Sequence, residues 1–554
     1  MLAALALLTA CRDVPTGRLH IEAVAPNAID TDARDVLLRI SGRFPSAMRI
    51  SLQRGTPSRV RTEFDATAGS IQLTDVTFVD ASTLEARLPE PPPPGTYPIV
   101  VTAPDGRSVT ASNALRVQAA TPSQACLGPP ESCRNLPPRP RVSVSPTAAR
   151  PGALVTLDAT ASVDDHDATE DLRFGWDWDG DGATDAYGSR LEHAFSGVGE
   201  HRPILAVEDT HGAVAYWQGP VVIAPPGQLL DVNTATDTVA DDGQLSLREA
   251  LQTAGDGNQP TTIHLQPGLE VQLESELAIE AAGVTLVGEP TTSITRVTPG
   301  RCLRVRADAV NLLWLRIQGC AGPGLVLAGA GNSVAHTSVR DGDGAAVVVT
   351  GTAATVGPRV SLTRNQGNGL VLLAGAAHRV LDSRVEAHGA AGIRIARTCA
   401  SAQLKGNTLV DNRVGIWVHH AAATVVWHNT ITQSSNAGLT YVTEGLGSGM
   451  AQDLRDNILH GNGTFGVSGS PTFDARSHNM FHANGSGAWR ASEQLGAASV
   501  RAAPKMVSPE RGDVRLWPDS PGIDAGVELG WDSNGPRAGN YNGVAPDIGA
   551  WESP

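Results

Sequence analysis

The sequence predicts an all-β protein in which two small immunoglobulin-like β-sandwiches precede a right-handed parallel β-helix. Three observations predict it. Glycine and proline are plentiful while aromatic residues make up only 4%, short alternating segments fill the first 225 residues, and a repeat of roughly 22 residues runs through the second half. Only 18% of the 554 residues are charged. This balance suits short strands joined by turns and disfavours long amphipathic helices.

The first eleven residues predict a signal segment. Met1–Leu8 is an apolar run too short to span a bilayer, and it leads into Thr9, Ala10 and Cys11. This ending resembles the lipobox of bacterial lipoproteins. The resemblance implies a lipid on Cys11 that anchors the protein in a membrane, at the outer membrane or the cell surface. The alternative interpretation of residues 1–11 is an ordinary buried strand.

Residues 18–118 are predicted to form the first sandwich. Short alternating strands such as Val36–Ile40 and Tyr97–Val101 are separated by turn residues at intervals typical of a sandwich. The order of features resembles an IPT/TIG immunoglobulin-like domain: an opening Val24-Ala25-Pro26, then Ile40-Ser41-Gly42, and later Pro94-Gly95 before the last hairpin.

A proline-rich linker is predicted at 119–139, where such composition gives a semi-rigid spacer. It contains Cys126 and Cys133, and because export favours disulfides, we expect a bond that closes the loop between them. Cys302 and Cys320 lie about one coil apart and are a second candidate pair. Cys399 is then left as a buried thiol, and no cysteine has zinc-site spacing.

Residues 140–225 resemble a PKD domain, which is another β-sandwich. The distinctive part is a strand of alternating tryptophan and aspartate that leads into a Gly-Asp-Gly turn. The matching residues are Pro151-Gly152, Leu157-Asp158-Ala159-Thr160-Ala161-Ser162, Trp176-Asp177-Trp178-Asp179-Gly180-Asp181-Gly182, Gly199 and Val207-Glu208-Asp209-Thr210-His211-Gly212.

The acidic turn of this segment has the oxygen-ligand spacing of a calcium loop. Its aspartates occupy positions 1, 3, 5 and 9, with glycine at position 6: Asp177, Asp179, Asp181 and Asp185. Position 12 is Gly188, which cannot supply the bidentate carboxylate of an EF-hand. PKD domains also carry this turn without metal. Calcium and a solvated turn therefore stay as alternatives, and no cofactor is expected to be required.

Residues 226–554 are predicted to form the β-helix. Glycine-led apolar segments from Gly324 to Gly466 recur at steps of 20, 25, 23, 23, 23 and 28 residues. A step of this size is one coil of a right-handed β-helix, and the fixed leucine frame of a leucine-rich repeat is absent. A second phase places an asparagine before an apolar segment, and these asparagines can stack as a hydrogen-bonded ladder: Asn407, Asn429, Asn457 and Asn479.

Both ends of this region resemble the caps of bacterial β-helix surface proteins. Ser246–Ala250 resembles the CSLREA motif, with Leu245 in the place of the usual cysteine. Residues 246–254 are therefore predicted to form a short helix that covers the open end of the coil stack. Ser520–Gly526 and Asp547–Glu552 resemble the C-terminal cap of the choice-of-anchor Q group.

Alternation within the repeat directs one group of side chains outward. The pattern predicts that Arg394, Trp417 and His419 point away from the core on one sheet, with His420, Trp427 and His428 nearby. An aromatic face stacks on a sugar ring and an arginine pairs with carboxylates, so the first three residues are a candidate glycan-binding site. The alternative is that Trp417 packs beneath a loop.

The fold by itself does not decide between binding and catalysis, because pectate lyases, polygalacturonases and many non-enzymes share it. A glycosidase needs carboxylates that converge on one bond, and no two acids between 301 and 480 share a phase in adjacent coils. We therefore expect no catalytic residues.

The function favoured by the sequence is a surface protein that binds an extracellular glycan or a surface protein. We expect it to be a monomer held at the membrane by its N-terminal lipid. The alternatives are a polysaccharide lyase or glycoside hydrolase that acts on the β-helix face, and a spacer without a ligand. The net charge of −15 excludes a nucleic-acid partner, since no basic stripe replaces phosphate counterions.

Overall fold

The computed structural model describes residues 19–118 and 135–552, apart from 26–27, 31–35, 45–48, 54–55, 62–63, 89–91, 94, 105, 226, 257–259, 420–422, 443–450, 470–471, 491–494, 531–540 and 542–544. Cys11, Cys126 and Cys133 lie outside the described residues, so the lipid anchor and the first disulfide stay predictions. The chain divides into two compact units, residues 1–133 and 134–554. The described chain is nearly all β, which confirms the predicted fold class.

The first unit consists of small, mostly antiparallel sheets. Alternation places every second side chain in its core: in the strand Thr83–Leu88, Leu84, Ala86 and Leu88 are buried. One sheet contains, in spatial order, His20–Ala25, Val36–Arg43, Thr83–Leu88 and Thr74–Asp80; a second contains Ala28–Asp30, Ser108–Gln118, Gly95–Thr102, Asp65–Ala68 and Ile71–Gln72; a third pairs Arg49–Gln53 with Thr56–Arg61.

The second unit begins with small sheets at 135–225, here called the antiparallel module. Trp176 is fully buried at its centre, where its ring contacts those of Trp178 and Trp217. Leu136, within the predicted linker, is also buried, and its N–H donates to Asp165 Oδ1 of this module (3.3 Å). Its strands are Ser143–Ser145, Leu154–Asp158 and Arg190–Ala194 in one sheet; Ala148–Ala149, Val221–Ile223 and Gly199–His201 in another; and Ala186–Tyr187, Arg173–Asp177, Ile204–Glu208 and Val214–Gln218 in the third.

The rest of the second unit is a parallel β-helix. Each coil contributes three short strands, one to each of three parallel sheets. The first sheet contains Leu229–Val232, Thr262–Leu265, Thr285–Val287, Asn311–Leu313, Ser333–Ala335, Thr355–Val356, His378–Leu381, Ala402–Lys405, Thr424–Trp427, Ala451–Arg455 and Thr472–Ser477. The second contains Glu270–Leu273, Ser293–Arg296, Arg316–Gln318, Ser338–Arg340, Ser361–Thr363, Arg384–Glu386, Thr408–Val410, Thr430–Thr432, Ile458–His460 and Met480–His482. The third contains Leu277–Ile279, Leu303–Val305, Leu325–Leu327, Val347–Val349, Leu370–Gly375, Ala391–Cys399, Val414–His419, Leu439–Val442, Phe465–Ser468 and Gly487–Trp489.

Apolar side chains at equal positions of successive coils stack to form the interior of the β-helix. Each is buried, and burying a side chain of this size contributes about 1.5–3 kcal/mol relative to exposure. In the first sheet the strand register aligns one such stack: Ile263, Leu286, Leu312, Val334, Val356, Val380, Leu404, Val426 and Leu454.

The turn from the first to the second sheet repeats one backbone conformation. One residue per coil has φ between 42° and 66°, the left-handed region that side chains rarely adopt. We call these residues the turn row: Trp314, His336, Arg359, Asp382, Gly406, His428, Asp456 and His478. In the later coils the next residue is an asparagine of the predicted ladder, and all four of those asparagines are fully buried.

Helix α1 (Leu247–Asp256) covers the N-terminal end of the coil stack, as the motif predicted, with Leu247 and Leu251 in the β-helix core. Cys302 and Cys320 are joined by a disulfide, and Cys399 is a buried free thiol. After the last coil, a hairpin of Met506–Ser508 and Asp513–Leu516 packs on the second sheet of the β-helix, against Val410, Ile458 and Met480. Within the described residues, no helix has the length and apolar character needed to cross a membrane.

The antiparallel module packs directly on the first sheet of the β-helix. Ala148 and Val222 of the module form an apolar cluster with Val287, Leu313 and Ala335. Side chains that would otherwise face solvent on this sheet are therefore buried, and this module and the early coils share one compact unit.

Candidate functional site

Arg394 and Trp417 are direct neighbours on the outer face of the third sheet. They are cross-strand partners in adjacent coils, and Trp417 keeps 38% of its surface exposed while Arg394 is also exposed. Among the described residues, Arg394 forms no ion pair. The register extends them into a line along the β-helix axis, here called the outer row: Arg304, Val326, Val348, Val371, Arg394, Trp417, Thr440 and Ser468.

Buried neighbours fix the direction of these two side chains. Ile393 and Ile395 point into the core on either side of Arg394, and Ile416 and Val418 do the same around Trp417. The third sheet is also widest here, because Ala391–Cys399 is far longer than the three-residue strands of earlier coils. The pair therefore lies on a rigid, broad part of the sheet.

His419, the third candidate, ends the same strand as Trp417 and is partly exposed. Its register partner in the next coil is Val442. His419 also takes part in an interaction with its surroundings. Its side chain lies beside the outer row, and only the exposed part of it can contact a ligand.

The prediction that Trp427 and His428 lie near this site is wrong, and His420, named with them, lies outside the described residues. The chain turns between Val414–His419 and Thr424–Trp427, so Trp427 belongs to the first sheet and His428 is buried in the turn row. The ring of Trp427 is already occupied, with Lys405 Nζ 4.3 Å and Arg455 Cζ 4.9 Å from its centre. A sugar cannot use that face without displacing a cation.

The acidic turn of the antiparallel module brings three of its four predicted aspartates together. Carboxylate oxygens of Asp177, Asp179 and Asp185 lie within 4.8 Å of one another, and Asp181 is outside this group. Asp177 accepts hydrogen bonds from the backbone N–H groups of Gly180 (2.7 Å) and Gly182 (2.8 Å).

An oxygen-only set of this kind suits calcium, which prefers carboxylate ligands. The same hydrogen bonds also stabilise the turn without any metal. Calcium binding by this turn stays a prediction.

Carboxylates with a catalytic arrangement are not found in the strand registers of the described coils, where no two acids are partners. The most perturbed acid is Asp456 in the turn row, where burial raises its pKa to about 8. His428 Nε2 lies 3.7 Å from Asp456 Oδ2, and burial lowers the pKa of His428 to about 4. Both side chains lie beneath the C-terminal segment, since Val527 N donates to Asp456 Oδ1 (3.0 Å). A polysaccharide cannot reach them, which indicates a structural role.

The structure also forms a cleft of about 370 Å³ that the sequence did not predict. It lies between the antiparallel module, the turn row and the C-terminal hairpin, all within the second unit. We call it the arginine cleft, after the five arginines that line it together with two exposed aromatic side chains: Arg139, Arg359, Arg384, Arg511, Arg515, Tyr216 and Trp551.

These residues are scattered from 139 to 551, so no motif or spacing in the sequence could have revealed the cleft. The only available signal was the choice of arginine at each position. Arginine is the usual residue for recognition of carboxylates, but a single arginine at an isolated position predicts nothing.

Comparison with known proteins agrees with the architecture. A family model described as a right-handed beta helix region matches residues 306–448 and 361–494. Pectate lyase Pel9A aligns over 59% of this chain and 96% of its own, at 14% identity and a TM-score of 0.44.

Two further solved structures align over similar shares of the chain. The AlgE6 A-module, a mannuronan C-5 epimerase from Azotobacter vinelandii, covers 47% of this chain and 94% of its own, at 13% identity and a TM-score of 0.29. A family 28 exopolygalacturonase from Yersinia enterocolitica covers 66% and 84%, at 11% and 0.23. No curated protein matches the sequence significantly.

The strand order, the stacked interior and the family model together define the class: the second unit is built on a right-handed parallel β-helix. Binding and catalysis are distinguished by side chains, and therefore by the two sites described above.

Proposed function

We propose that this protein is a lipid-anchored surface protein that binds an acidic glycan along the outer row of its β-helix. The single observation that carries the proposal is the pairing of exposed Trp417 with exposed Arg394 on adjacent strands. The anchor at Cys11 and the surface location follow from the lipobox resemblance. A monomer is sufficient, because both side chains belong to one chain.

The spacing of the two side chains suits one sugar unit. Adjacent strands lie about 4.8 Å apart, so a pyranose ring stacked on Trp417 brings its carboxylate within reach of Arg394. An arginine without an acidic partner keeps its five N–H donors for a ligand. Both features favour a uronate-containing chain over a neutral one.

The shape of the outer row suits an extended ligand. The row runs along the axis of the β-helix from Arg304 to Ser468. Its valines at 326 and 371 are buried, so the accessible stretch is the one formed by Arg394, Trp417, Thr440 and Ser468. Side chains on strands are held more precisely than side chains on loops. A linear polysaccharide can therefore follow the axis without ordering a flexible segment of the protein.

The test is isothermal titration of the full chain with a galacturonate oligosaccharide and with a neutral oligosaccharide of equal length. We expect binding of the acidic ligand only, and a loss of at least about tenfold in affinity for Trp417→Ala and for Arg394→Ala. Trp417→Phe keeps an aromatic face and should retain most of the affinity. Arg150→Ala, an exposed arginine in a turn of the antiparallel module, is the matched control.

Two results would contradict the proposal. The first is unchanged affinity in both the Trp417 and the Arg394 variants. The second is the release of unsaturated uronates or new reducing ends during the titration, which would make the protein a lyase or a hydrolase. If only a surface protein binds and no oligosaccharide does, the glycan assignment also fails.

A further inference from the structure

We propose that the arginine cleft is a second binding site, which takes a small anionic sugar of one or two units that carries a carboxylate. This site is independent of the outer row. It is lined by the turn row and the C-terminal hairpin, whereas the outer row belongs to the third sheet.

The cleft lies between two segments that pack over the turn row. These are the antiparallel module, over the early coils, and the C-terminal segment, over the later coils. On one side the ring of Trp314 is covered by the antiparallel module, and Trp314 Nε1 donates to the carbonyl of Pro220 (2.9 Å). On the other side the C-terminal segment buries His428 and Asp456. Arg359 lies in the gap, where its side chain is exposed at the floor of the cleft.

Three of the five arginines hold the walls of the cleft in place. Arg384 donates to the carbonyl of Gly512 (2.7 Å), and Arg515 donates to the carbonyl of Pro137 (2.7 Å). Arg139 and Arg515 both pair with Asp513. These bonds tie the module, the β-helix and the hairpin together, so the cleft is formed before any ligand enters it.

The other two arginines provide the unbalanced charge. Within the described residues, Arg359 and Arg511 form no direct ion pair. Asp382 and Glu510 interact with them at longer range but do not line the cleft, where two acids lie beside five arginines. Protein crowds around Arg359 and lowers its pKa through desolvation, and an arginine still stays charged at neutral pH. A concave site with excess positive charge in a protein of net charge −15 attracts an anion.

Two aromatic side chains indicate that the anion is a sugar. Tyr216 is 40% exposed and Trp551 is 49% exposed, although large aromatic side chains are usually well covered. An inorganic anion would gain nothing from them, whereas a pyranose ring stacks on such faces. The volume of about 370 Å³ is at the lower end of the range for ligand pockets, so it suits a short ligand or a chain end.

The experiment titrates the full chain with digalacturonate and with lactose, a neutral disaccharide, and follows both heat and tryptophan fluorescence. We expect digalacturonate alone to bind, with an affinity that falls as salt is added. Made in the Trp417→Ala background, so that the outer row does not contribute, Arg359→Gln, Arg511→Gln and Trp551→Ala should each weaken binding by about tenfold or more. Because Arg511 makes no ion pair among the described residues, its variant tests the site even if Arg359→Gln folds poorly.

Matched variants separate this site from the outer row. Trp417→Ala and Arg394→Ala should leave digalacturonate binding in the cleft unchanged, and Arg150→Ala should behave as the wild type. The proposal is overturned if the three cleft variants bind digalacturonate like the wild type. It is also overturned if citrate or an acidic peptide competes as well as digalacturonate while Trp551→Ala has no effect.

Discussion

At the scale of single residues, burial changes the acid–base chemistry of Asp456. Its side chain is inaccessible to solvent, and desolvation raises the pKa from 3.8 to about 8. The folded protein therefore keeps a proton that the unfolded chain loses near pH 4. Between pH 4 and 8 the folded state binds more protons, so this residue makes the free energy of unfolding fall as the pH rises.

Replacement of Asp456 by Asn should stabilise the protein at high pH. The amide stays neutral and can still accept the hydrogen bond from Val527 N. We expect a gain of more than about 1 kcal/mol at pH 8, since one pH unit between the two pKa values corresponds to about 1.4 kcal/mol. The gain should shrink toward pH 4, as measured by urea unfolding.

A matched control for this prediction is Asp411→Asn. Asp411 has nearly the same backbone conformation (φ 52° against 56°) but is exposed. Its variant should change stability little at any pH. If Asp456→Asn is no more stable than the wild type at pH 8, Asp456 is ionised in the folded protein and its burial is compensated.

The sequence predicted which side chains of a strand face outward, but it did not predict where side chains beyond the next turn lie. Alternation placed Arg394 and Trp417 on the outside because strand geometry has a period of two. The same reasoning failed for His428. A turn changes the sheet, and the cover over His428 comes from residues more than one hundred positions later, such as Asp547.

At the scale of structural elements, the asparagine ladder closes the turn between the first and second sheets. Asn429 illustrates it: Oδ1 accepts from Asn407 N (3.0 Å), and Nδ2 donates to the carbonyl of Leu404 (2.9 Å) and to Asn457 Oδ1 (3.0 Å). Each rung satisfies backbone groups that would otherwise be buried without partners. The sequence predicted these asparagines by their spacing.

Substitution of Asn429 by Ala should destabilise the protein by about 2–4 kcal/mol, because it removes the side-chain partner of the Asn407 N–H, of Asn407 Nδ2 and of the carbonyls of Leu404 and Trp427. Thermal or urea unfolding measures the loss. Asn436→Ala is the control, since Asn436 is exposed and, among the described residues, its side chain accepts one hydrogen bond, from the Thr464 hydroxyl (3.0 Å). A similar loss in both variants would show that the ladder adds nothing beyond an ordinary surface bond.

The Cys302–Cys320 disulfide lies at the turn that follows the second sheet, in an early coil of the β-helix. Cys320 follows the strand Arg316–Gln318 by two residues, as Gly342 follows Ser338–Arg340 in the next coil. Gly342 N already donates to the Asn365 side chain (3.0 Å), so side-chain hydrogen bonding begins one coil later. The covalent bond between Cys302 and Cys320 therefore lies one coil before this hydrogen bond.

At the scale of the whole molecule, a buried polar contact fixes the antiparallel module to the β-helix. Thr147 N and its hydroxyl both donate to Glu289 Oε1 (2.6 and 3.0 Å), and His264 Nε2 lies 2.9 Å from the same oxygen. Burial lowers the pKa of His264, but hydrogen bonds to Glu289 and Asp231 outweigh it and raise the pKa above its usual value.

Glu289→Ala should destabilise the second unit by about 3 kcal/mol at pH 6, because it strands a buried histidine and the N–H of Thr147. The raised pKa of His264 contributes stability that is complete below pH 6.5 and is lost as the pH rises through the folded value. The destabilisation should therefore be smaller at pH 9, which urea unfolding at both pH values measures. An equal loss at both pH values would mean that His264 is neutral in the native protein.

The sequence by itself determined the coil repeat, the helix at its N-terminal end, the ladder and the outward direction of Arg394 and Trp417. Each of these depends on local periodicity, which a linear chain carries explicitly. Only the tertiary structure decided the packing of the antiparallel module on the first sheet, the burial of Asp456 and the arginine cleft. These depend on contacts between residues as far apart as Pro137 and Arg515, and no local pattern records which distant segments will cover one another.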